Sequence, residues 1–297
     1  MTDQRGSDGL NRRQFLRGTA GAALALSGPG AASLADGAQA SAAKRTPTDL
    51  VPLGKTGLTV SRLGFGTGMK GWNRQSNQTK LGFAKFIALL RHAFDSGVRL
   101  FDMADLYGAH VYVREALRPI PREKVTLQTK IWWRWGESPK TIVERFRHEL
   151  GTDYIDIVLL HCMTKPDWDK ELTAYMDMLS ELKAKKIVRA IGISCHALPA
   201  LRTAAKSPWV DTVLARINHK GTKMDGPPEK VVPVIRQLHE AGKGVVGMKI
   251  YGEGKLVDER AESLRYVLGL SCVDAMVIGF EAPEHIDDAL KLAARAL

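Results

Sequence analysis

The sequence predicts a closed barrel of eight parallel β-strands, each followed by a helix, the (β/α)8 TIM-barrel fold. From residue 52 onward, short β-branched or apolar runs alternate with stretches whose apolar residues recur at a spacing of three and four. From the second strand on, successive strand ends lie 23 to 33 residues apart, which is the length of one strand–helix unit. Strict alternation of strand and helix implies a parallel sheet, and eight units match the usual barrel length of about 250 residues.

Eight short runs have the composition of buried strands, and eight helical patterns lie between or after them. The clearest helical patterns cover residues 83–94, 175–182 and 235–238. Ahead of the first unit, two apolar runs flank a Gly-Lys-Thr-Gly turn at residues 54–57, which predicts an N-terminal β-hairpin closing the barrel floor. The predicted strands cover residues 62–66, 99–102, 125–130, 155–161, 188–194, 212–217, 245–249 and 275–279.

The segment 66–71 fits the pattern GxGxxG directly after the first strand. In a Rossmann dinucleotide-binding loop the helix begins at once, because its N-terminus must meet the pyrophosphate. Here seven residues, 72–78, intervene before a helical pattern begins near Thr79. We therefore interpret the segment as the first strand–helix loop of the barrel.

The first residues have the composition of an export signal. Arg12 and Arg13 precede a mildly apolar run at residues 18–26, and small residues follow up to an AxA-like site at residues 38–40. The arginine pair and weak hydrophobicity resemble a twin-arginine signal. The run is too short and too rich in Gly and Ala for a stable membrane anchor. We expect a signal peptide and short linker at 1–43, a barrel at 44–297, folded export by the twin-arginine translocation machinery, and a periplasmic or secreted location.

Composition and charge narrow the kinds of partner and site that the protein is expected to have. The 297 residues are 44% hydrophobic and 25% charged, which suffices for one large core. The formal net charge is +11, but Lys and Arg are scattered, which favours a solvated basic surface over a nucleic-acid partner. Cys162, Cys195 and Cys272 form no CxxC pair, so we expect neither a cysteine-held metal nor a disulfide scaffold. An oxidised Cys162–Cys195 pair is conceivable, but buried thiols are the simpler expectation.

Four titratable residues are expected at one end of the barrel, because active sites of this fold lie at the C-terminal ends of the strands. The second, third and fourth strands end in Asp102, Lys130 and His161, and Tyr107 lies in the loop after Asp102. A Lys ammonium is expected to lower the pKa of a neighbouring phenol, and a carboxylate keeps the ammonium charged. A histidine can donate a hydrogen bond to a carbonyl oxygen. The set predicts a site that protonates a developing alkoxide.

The chain resembles the aldo-keto reductase family through the segments LGKTGLTVSRLGFGTG, LFDMADLYG, VTLQTK, LGTDYIDIVLLH, VRAIGIS and GVVGMKIYGEG, in this order. The family's catalytic tetrad corresponds to Asp102, Tyr107, Lys130 and His161. The resemblance implies that NADPH, with NADH as the alternative, delivers a hydride to an aldehyde or ketone carbon while Tyr107 protonates the oxygen. The partner is then a small carbonyl substrate that His161 positions.

The resemblance also implies cofactor contacts, with departures from the family pattern. Ser194 matches a nicotinamide-binding serine, whereas Cys195 stands where an Asn is usual, so that contact is weaker or falls to His196. Leu214 replaces a common Gln, and Met248 stands at the position of a stacking aromatic, for which Tyr251 could substitute. The expected cofactor-binding residues are Ser194, Cys195, Asn218, Met248, Lys249, Tyr251, Gly252, Gly254, Lys255, Gly279 and His285.

The substrate pocket is expected among aromatic residues, since such rims are usually apolar. Trp72, Trp132, Trp133 and Trp135 lie in the first and third loops, and about half of them should face the site. Two alternatives stay open. One is a non-redox isomerase or lyase that uses Tyr107 and Lys130; the other is a catalytically degenerate exported barrel that binds a ligand. The sequence does not indicate the oligomeric state.

Overall fold

A computed structural model describes residues 45–297 of the chain. The predicted signal peptide and linker at residues 1–43 lie outside the described residues. Within residues 45–297, every helix is too short or too polar to cross a lipid bilayer.

Eight parallel strands close into a barrel, in the order β10-β3-β4-β5-β6-β7-β8-β9. The predicted (β/α)8 fold is therefore confirmed, and the observed strand ends lie within two residues of the predicted ones. Alternation along each strand sends one set of side chains into the barrel and the other toward the helices. The barrel strands are β3 (Leu63–Gly66), β4 (Leu100–Asp102), β5 (Thr126–Ile131), β6 (Ile155–Met163), β7 (Val188–Cys195), β8 (Thr212–Arg216), β9 (Gly244–Met248) and β10 (Ala275–Ile278).

Nine α-helices surround the described barrel rather than the eight expected, because a four-residue helix precedes the main helix after β6. After the GxGxxG segment, a 3₁₀ turn at Thr79–Leu81 precedes the first α-helix, so the segment is a barrel loop as interpreted. The helices are α1 (Phe83–Asp95), α2 (His110–Leu117), α3 (Pro139–Leu150), α4 (Trp168–Glu171), α5 (Thr173–Ala184), α6 (Leu198–Lys206), α7 (Pro228–Glu240), α8 (Arg260–Leu268) and α9 (Pro283–Ala296).

An antiparallel hairpin of β1 (Leu50–Pro52) and β2 (Thr59–Ser61) lies across the N-terminal ends of the barrel strands. The Thr126 hydroxyl at the start of β5 donates to the Thr59 carbonyl at 3.0 Å, and the Lys55 amide donates to the Gly242 carbonyl at 2.7 Å. Gly54 adopts φ +49°, and a Cβ there would lie 2.4 Å from the Gly244 nitrogen, so only glycine fits this turn. The predicted hairpin therefore closes the floor of the barrel.

The barrel interior is apolar at the floor and polar at the opposite end. Leu53, Leu58 and Val60 of the hairpin segment pack against inward side chains of the strands, among them Leu100 and Leu159. A second, larger cluster fills the space between strands and helices. On four of the strands, β4, β5, β6 and β8, the inward residue near the C-terminal end is charged or a histidine, and these residues form the mouth described next.

Candidate active site

The structure brings the predicted tetrad together at the mouth of the barrel. Asp102, Lys130 and His161 lie two residues beyond Leu100, Gln128 and Leu159 on their strands, so alternation directs all three inward. All three are buried. Tyr107 ends a 3₁₀ turn, Asp105–Tyr107, that begins just after β4.

Lys130 and Asp102 form a buried ion pair. The Lys130 Nζ donates to both carboxylate oxygens of Asp102, at 2.7 and 2.8 Å, and to the Met103 carbonyl at 2.6 Å. The Gln128 amide donates to the same carboxylate at 2.7 Å. Burial lowers the pKa of Lys130, while the Asp102 carboxylate opposes the shift. The pair is saturated with hydrogen bonds, which fixes the ammonium beside Tyr107.

The Tyr107 ring is held between two glycines of the first loop. A Cβ at Gly68 or at Gly71 would lie 2.3 Å from a ring carbon of Tyr107, so larger residues would displace the ring. The Lys130 Nζ lies 4.9 Å from the ring centroid. Burial raises the pKa of Tyr107, and the Asp102 carboxylate adds to the effect. The net shift of the Tyr107 pKa is therefore upward, opposite to the lowering expected from Lys130 alone, because burial dominates; the phenol is protonated at neutral pH.

His161 faces the phenol as a neutral imidazole. Its Nε2 lies 3.4 Å from the Tyr107 hydroxyl. Burial, followed by the charge of Lys130, keeps the pKa of His161 well below its usual value. Its buried Nδ1 has no hydrogen-bond partner among residues 45–297. With the proton on Nε2, the ring and the phenol direct two donors at the same small volume, which suits one oxygen atom of a ligand.

A polar network behind Tyr107 fixes its turn. Arg145 donates to both oxygens of Asp105, at 3.1 and 3.0 Å, and to Glu149 at 3.1 Å. His110 bridges Glu149 and the Thr129 hydroxyl, at 2.6 and 2.8 Å. Against the effect of burial, hydrogen bonds from His110 and Arg145 lower the pKa of Glu149 to about 2. The sequence pattern did not indicate this network, because its members lie on different elements.

At the end of β7, neighbouring residues point in opposite directions. Ser194 faces the barrel, and its hydroxyl accepts a hydrogen bond from the Cys162 amide at 2.8 Å. Cys195 is 0% exposed, belongs to the cluster beneath the helices, and directs its thiol to the Ala197 carbonyl. A cofactor contact by the Cys195 thiol is therefore wrong for this arrangement, because alternation turns it away from the mouth. All three cysteines are free.

His196 is the polar residue that follows. Its Nδ1 lies 3.1 Å from the Cys162 sulfur, and Cys162 adopts φ +66° where β6 departs from regular register. Burial, then the charge of Arg216, lowers the pKa of His196 to about 3. His196 therefore lies beside His161 at the mouth, with 6.4 Å between the ring centroids.

Two predicted cofactor residues are already engaged by the fold. The Asn218 amide nitrogen donates to the carbonyls of Thr222 and Lys249, at 2.8 and 3.1 Å, and so ties the loops after β8 and β9 together. Met248 is the last residue of β9, lies in register with Arg216 and faces the barrel interior with 8% of its surface exposed. A stacking role for Met248 stays a prediction, whereas Asn218 acts here as a loop support.

The loop after β9 presents side chains rather than free amides. The amides of Gly252, Gly254 and Lys255 donate to carbonyls within the same turn, so they are not free to bind a phosphate as expected. The Lys249 Nζ pairs with Glu253 at 2.8 Å, and Lys255 is exposed. The buried Tyr251 hydroxyl has no partner among the residues described, and burial raises its pKa. Lys255 is therefore the one of these three side chains that is exposed and unpaired among the residues described, and a cofactor role for this loop stays a prediction.

Gly279 and Phe280, which follow β10, pack against the first loop and the core. A Cβ at Gly279 would lie 2.3 Å from the Met69 side chain, so this glycine admits the first loop. Phe280 is buried against Phe65, with 5.6 Å between ring centroids. His285 is exposed in the first turn of α9, and Glu281 accepts a hydrogen bond from Asn77. A cofactor role for Gly279 and His285 stays a prediction.

Two of the four predicted pocket tryptophans form a wall beside the tetrad. The Trp132 ring meets His161 and Trp72 edge to face, each at 5.6 Å between centroids, and Trp72 is 62% exposed. Trp133 instead packs toward the core and donates to the His161 carbonyl at 3.2 Å. Trp135 is exposed beneath the Arg74 guanidinium.

Arg134, Arg216 and Asp225 at the mouth were not predicted. Arg216 is the last residue of β8 and lies 3.3 Å from Asp225, whose pKa burial raises to about 6 against the effect of Arg216. The strand-end rule that selected Asp102, Lys130 and His161 would also have selected Arg216.

Elsewhere, His219, Glu259 and Glu262 form the one described group with metal-ligand spacing, but Lys220 already pairs with Glu259.

Comparison with known proteins identifies the family. The model of the aldo/keto reductase family matches residues 62–266. The chain belongs to the aldo/keto reductase family. It is similar to the NADH-specific methylglyoxal reductase of Escherichia coli, with 32% identity over 213 residues, which cover 63% of this chain and 63% of that protein. The match therefore spans less than two thirds of that relative.

Solved structures of the family share the fold. A structure from Pseudomonas aeruginosa assigned to the aldo-keto reductases is 27% identical, has a TM-score of 0.69, and covers 84% of this chain and 97% of that one. An aldo/keto reductase of Klebsiella pneumoniae, solved with NADP and acetate, is 20% identical with a TM-score of 0.63, covering 84% and 89%. These likenesses show that the chain shares the barrel fold of these structures.

Proposed function

We propose that this aldo/keto reductase reduces an aldehyde or ketone to an alcohol, using NADPH or NADH, with Tyr107 as the proton donor. The observation that carries the proposal is the convergence of the Tyr107 hydroxyl and His161 Nε2, 3.4 Å apart, above the buried Lys130–Asp102 pair. Both groups are neutral at neutral pH because burial raises the pKa of the phenol and lowers that of the imidazole. Two neutral donors aimed at one point suit a carbonyl oxygen that becomes an alkoxide.

In this mechanism His161 donates from Nε2 to the carbonyl oxygen and orients it, and Tyr107 transfers its proton to the same oxygen. A bound dihydronicotinamide supplies the hydride. Lys130 lies 4.9 Å from the Tyr107 ring, so its ammonium stabilises the phenolate left by proton transfer. Asp102 keeps that ammonium charged and placed. Trp132 covers His161 and limits the access of water to the reacting atoms.

The side chains of the β9 loop support the cofactor part of the proposal. Lys249 and Lys255 carry the charges that would face a diphosphate, with Lys255 exposed and Lys249 paired with Glu253. His285 at the start of α9 is the residue that would favour a 2′-phosphate, while Glu281 nearby disfavours one. NADPH therefore remains the first proposal for the cofactor, with NADH as the alternative.

A specific observation favours the second candidate, an exported barrel that binds or isomerises a small ligand without redox chemistry. Of the expected nicotinamide and phosphate contacts, Cys195 points away, Asn218 is engaged and the β9-loop amides are used internally. The two candidates differ in one property, which is whether the protein binds a reduced nicotinamide.

Titration of the 297-residue chain with NADPH and with NADH, followed by tryptophan fluorescence, tests the proposal. We expect saturable quenching, because the cofactor would lie against the mouth that Trp132 lines. Lys255→Gln should lower the affinity for both cofactors by a similar factor of about 3 to 10, since it removes one charge near the diphosphate that both cofactors contain. His285→Gln should lower only the affinity for NADPH, because only NADPH carries the 2′-phosphate. Absence of quenching by either cofactor, with an unchanged circular dichroism spectrum, would favour the ligand-binding alternative.

We also propose that the protein is exported in folded form by the twin-arginine machinery to the periplasm or beyond. The proposal rests on Arg12, Arg13 and the weakly apolar run that follows. Residues 1–43 fused to a reporter should direct it out of the cytoplasm, and Arg12→Lys with Arg13→Lys should retain it, because these substitutions keep the charge and remove only the arginine pair. The matched control is Arg5→Lys. Export that survives the double substitution contradicts the assignment.

A further inference from the structure

Arg134 occupies an unusual position at the mouth of the barrel. It belongs to the 3₁₀ turn Trp133–Trp135 directly after β5, and its guanidinium carbon lies 4.8 Å from the Trp132 ring centroid and 4.3 Å from that of Trp133. Trp132 in turn contacts His161. A charged and exposed group is therefore held one aromatic ring away from the site where the carbonyl oxygen is expected.

The other cations near the two histidines of the mouth have acidic partners. Lys130 pairs with Asp102, Lys249 with Glu253, and Arg216 with Asp225. Arg134 has no salt-bridge partner within residues 45–297. Its positive charge is one of the smaller causes, after burial, of the low pKa of both His161 and His196, which places that charge close to the reacting groups. Among the cations that lower the pKa of these two histidines, Arg134 is the one without an acidic partner within residues 45–297.

One side of the guanidinium approaches the Cys162 thiol, and the stacking leaves its other N–H groups without a hydrogen-bond partner among residues 45–297. Indole faces stabilise a guanidinium through its planar face, so the N–H groups along its edge still point outward. A carboxylate accepts two parallel hydrogen bonds from such an edge. Stacking also restricts the side chain before a ligand arrives, which reduces the entropy lost on binding.

The place of Arg134 in the barrel separates it from the predicted cofactor loop. In the closed strand order, β5 and β9 are four strands apart and therefore lie on opposite sides. Lys249, Tyr251 and Lys255 follow β9, whereas Arg134 and the Trp72–Trp132 wall lie on the β5 side. An anion bound by Arg134 thus belongs to the second ligand, the substrate.

We propose that the substrate is a carbonyl compound that carries a carboxylate, which Arg134 binds while Tyr107 and His161 face the carbonyl oxygen. The inference rests on the proposed reduction and specifies its substrate class. Between the two polar ends, the exposed Trp72 and the half-buried Trp132 meet the ligand with apolar rings. The body that joins the carboxylate to the carbonyl is therefore apolar, and a planar ring fits the two indoles.

The test compares acids with their neutral esters. The substrates are 3- and 4-carboxybenzaldehyde and the corresponding methyl formylbenzoates, which keep the ring and lose the charge. We expect kcat/KM for at least one acid to exceed that of its ester by about 10- to 100-fold, as a charge-assisted hydrogen bond allows. Arg134→Gln should abolish this preference and leave the rate with the ester within about twofold. The control is Arg118→Gln, a 78% exposed arginine that follows α2, outside the mouth.

Three outcomes would overturn the inference. The first is an equal loss of kcat/KM for acid and ester in Arg134→Gln, and the second is the absence of any preference for either acid in the unmodified protein. The third is a loss of NADPH affinity in Arg134→Gln that matches its loss of activity, which would assign the guanidinium to the cofactor. If no aldehyde is reduced, the proposed function fails, and calorimetric titration with the same four compounds still tests Arg134. Acid binding that exceeds ester binding and is lost in Arg134→Gln supports the carboxylate site; equal binding refutes it.

Discussion

Tyr107→Phe is expected to lower kcat by about 10²- to 10⁴-fold, the usual contribution of a general acid. The substitution removes only the hydroxyl that would protonate the alkoxide. The ring itself remains between Gly68 and Gly71, and the hydroxyl makes its 3.4 Å contact with His161 alone among residues 45–297, so the packing is kept. Cofactor affinity, measured by tryptophan quenching, should stay within about twofold because the phenol adds no charge to the ground state.

The matched control for this experiment is Tyr112→Phe. Tyr112 packs its ring against Phe83 and Phe86 on the outer side of the barrel, far from the tetrad. Tyr112→Phe also removes one phenolic hydroxyl, and we expect its kcat to be unchanged. A Tyr107→Phe enzyme that keeps its turnover, or one that loses cofactor binding in proportion to turnover, contradicts the role of Tyr107 as proton donor.

Lys130→Met is expected to lower the free energy of unfolding by about 3 to 5 kcal/mol, as the loss of one partner of a buried ion pair does. Asp102 is 5% exposed and would keep only the Gln128 amide as a side-chain donor, which does not neutralise a buried carboxylate. Adding Asp102→Asn should restore most of the stability, because no charge is then left unpaired. Neither variant should reduce a carbonyl at a measurable rate.

Urea unfolding at neutral pH measures this effect, and the double-mutant cycle isolates the interaction of the two side chains. Lys124→Met serves as the control, since Lys124 is exposed just before β5. Its free energy of unfolding should change by less than about 0.5 kcal/mol. A Lys130→Met protein as stable as the unmodified one would show that Asp102 finds another partner.

The barrel and its tetrad were predictable because both follow from periodic rules. Strand–helix alternation at a constant spacing admits few folds other than the one observed. Alternation within a strand then decides which terminal residue enters the barrel, and it correctly assigns Asp102, Lys130 and His161 to the mouth. The same rule applied to β7 separates Ser194, which faces inward, from Cys195, which faces the helices.

The loops were less predictable because their conformation depends on contacts between elements distant in sequence. The role of Asn218 depends on the carbonyls of Thr222 and Lys249, and the latter belongs to the next strand–helix loop. In the β9 loop, Gly252, Glu253 and Gly254 all have positive φ, and their turn uses the amides that a phosphate would need. Composition indicates a tight turn at such glycines but not which partners its amides choose.

The GxGxxG segment shows how a sequence motif can have another physical basis. Two of its glycines, Gly68 and Gly71, lie against the Tyr107 ring, where a Cβ would lie 2.3 Å from a ring carbon. The glycines are therefore required by close packing against the predicted proton donor. A helix N-terminus plays no part here, because α1 begins only at Phe83.

The hairpin across the floor has a kinetic consequence. Leu53, Leu58 and Val60 seal that end of the barrel with apolar side chains, so a ligand reaches Tyr107 only from the opposite end. Two ligands that use one entrance cannot exchange independently when the later one lies over the earlier one. The outer ligand must enter last and leave first, and the inner ligand is retained for as long as the outer one stays. For the proposed cofactor and substrate, which would share this entrance, we therefore expect binding and release in a fixed order, and the hairpin at the floor of the barrel is the structural cause.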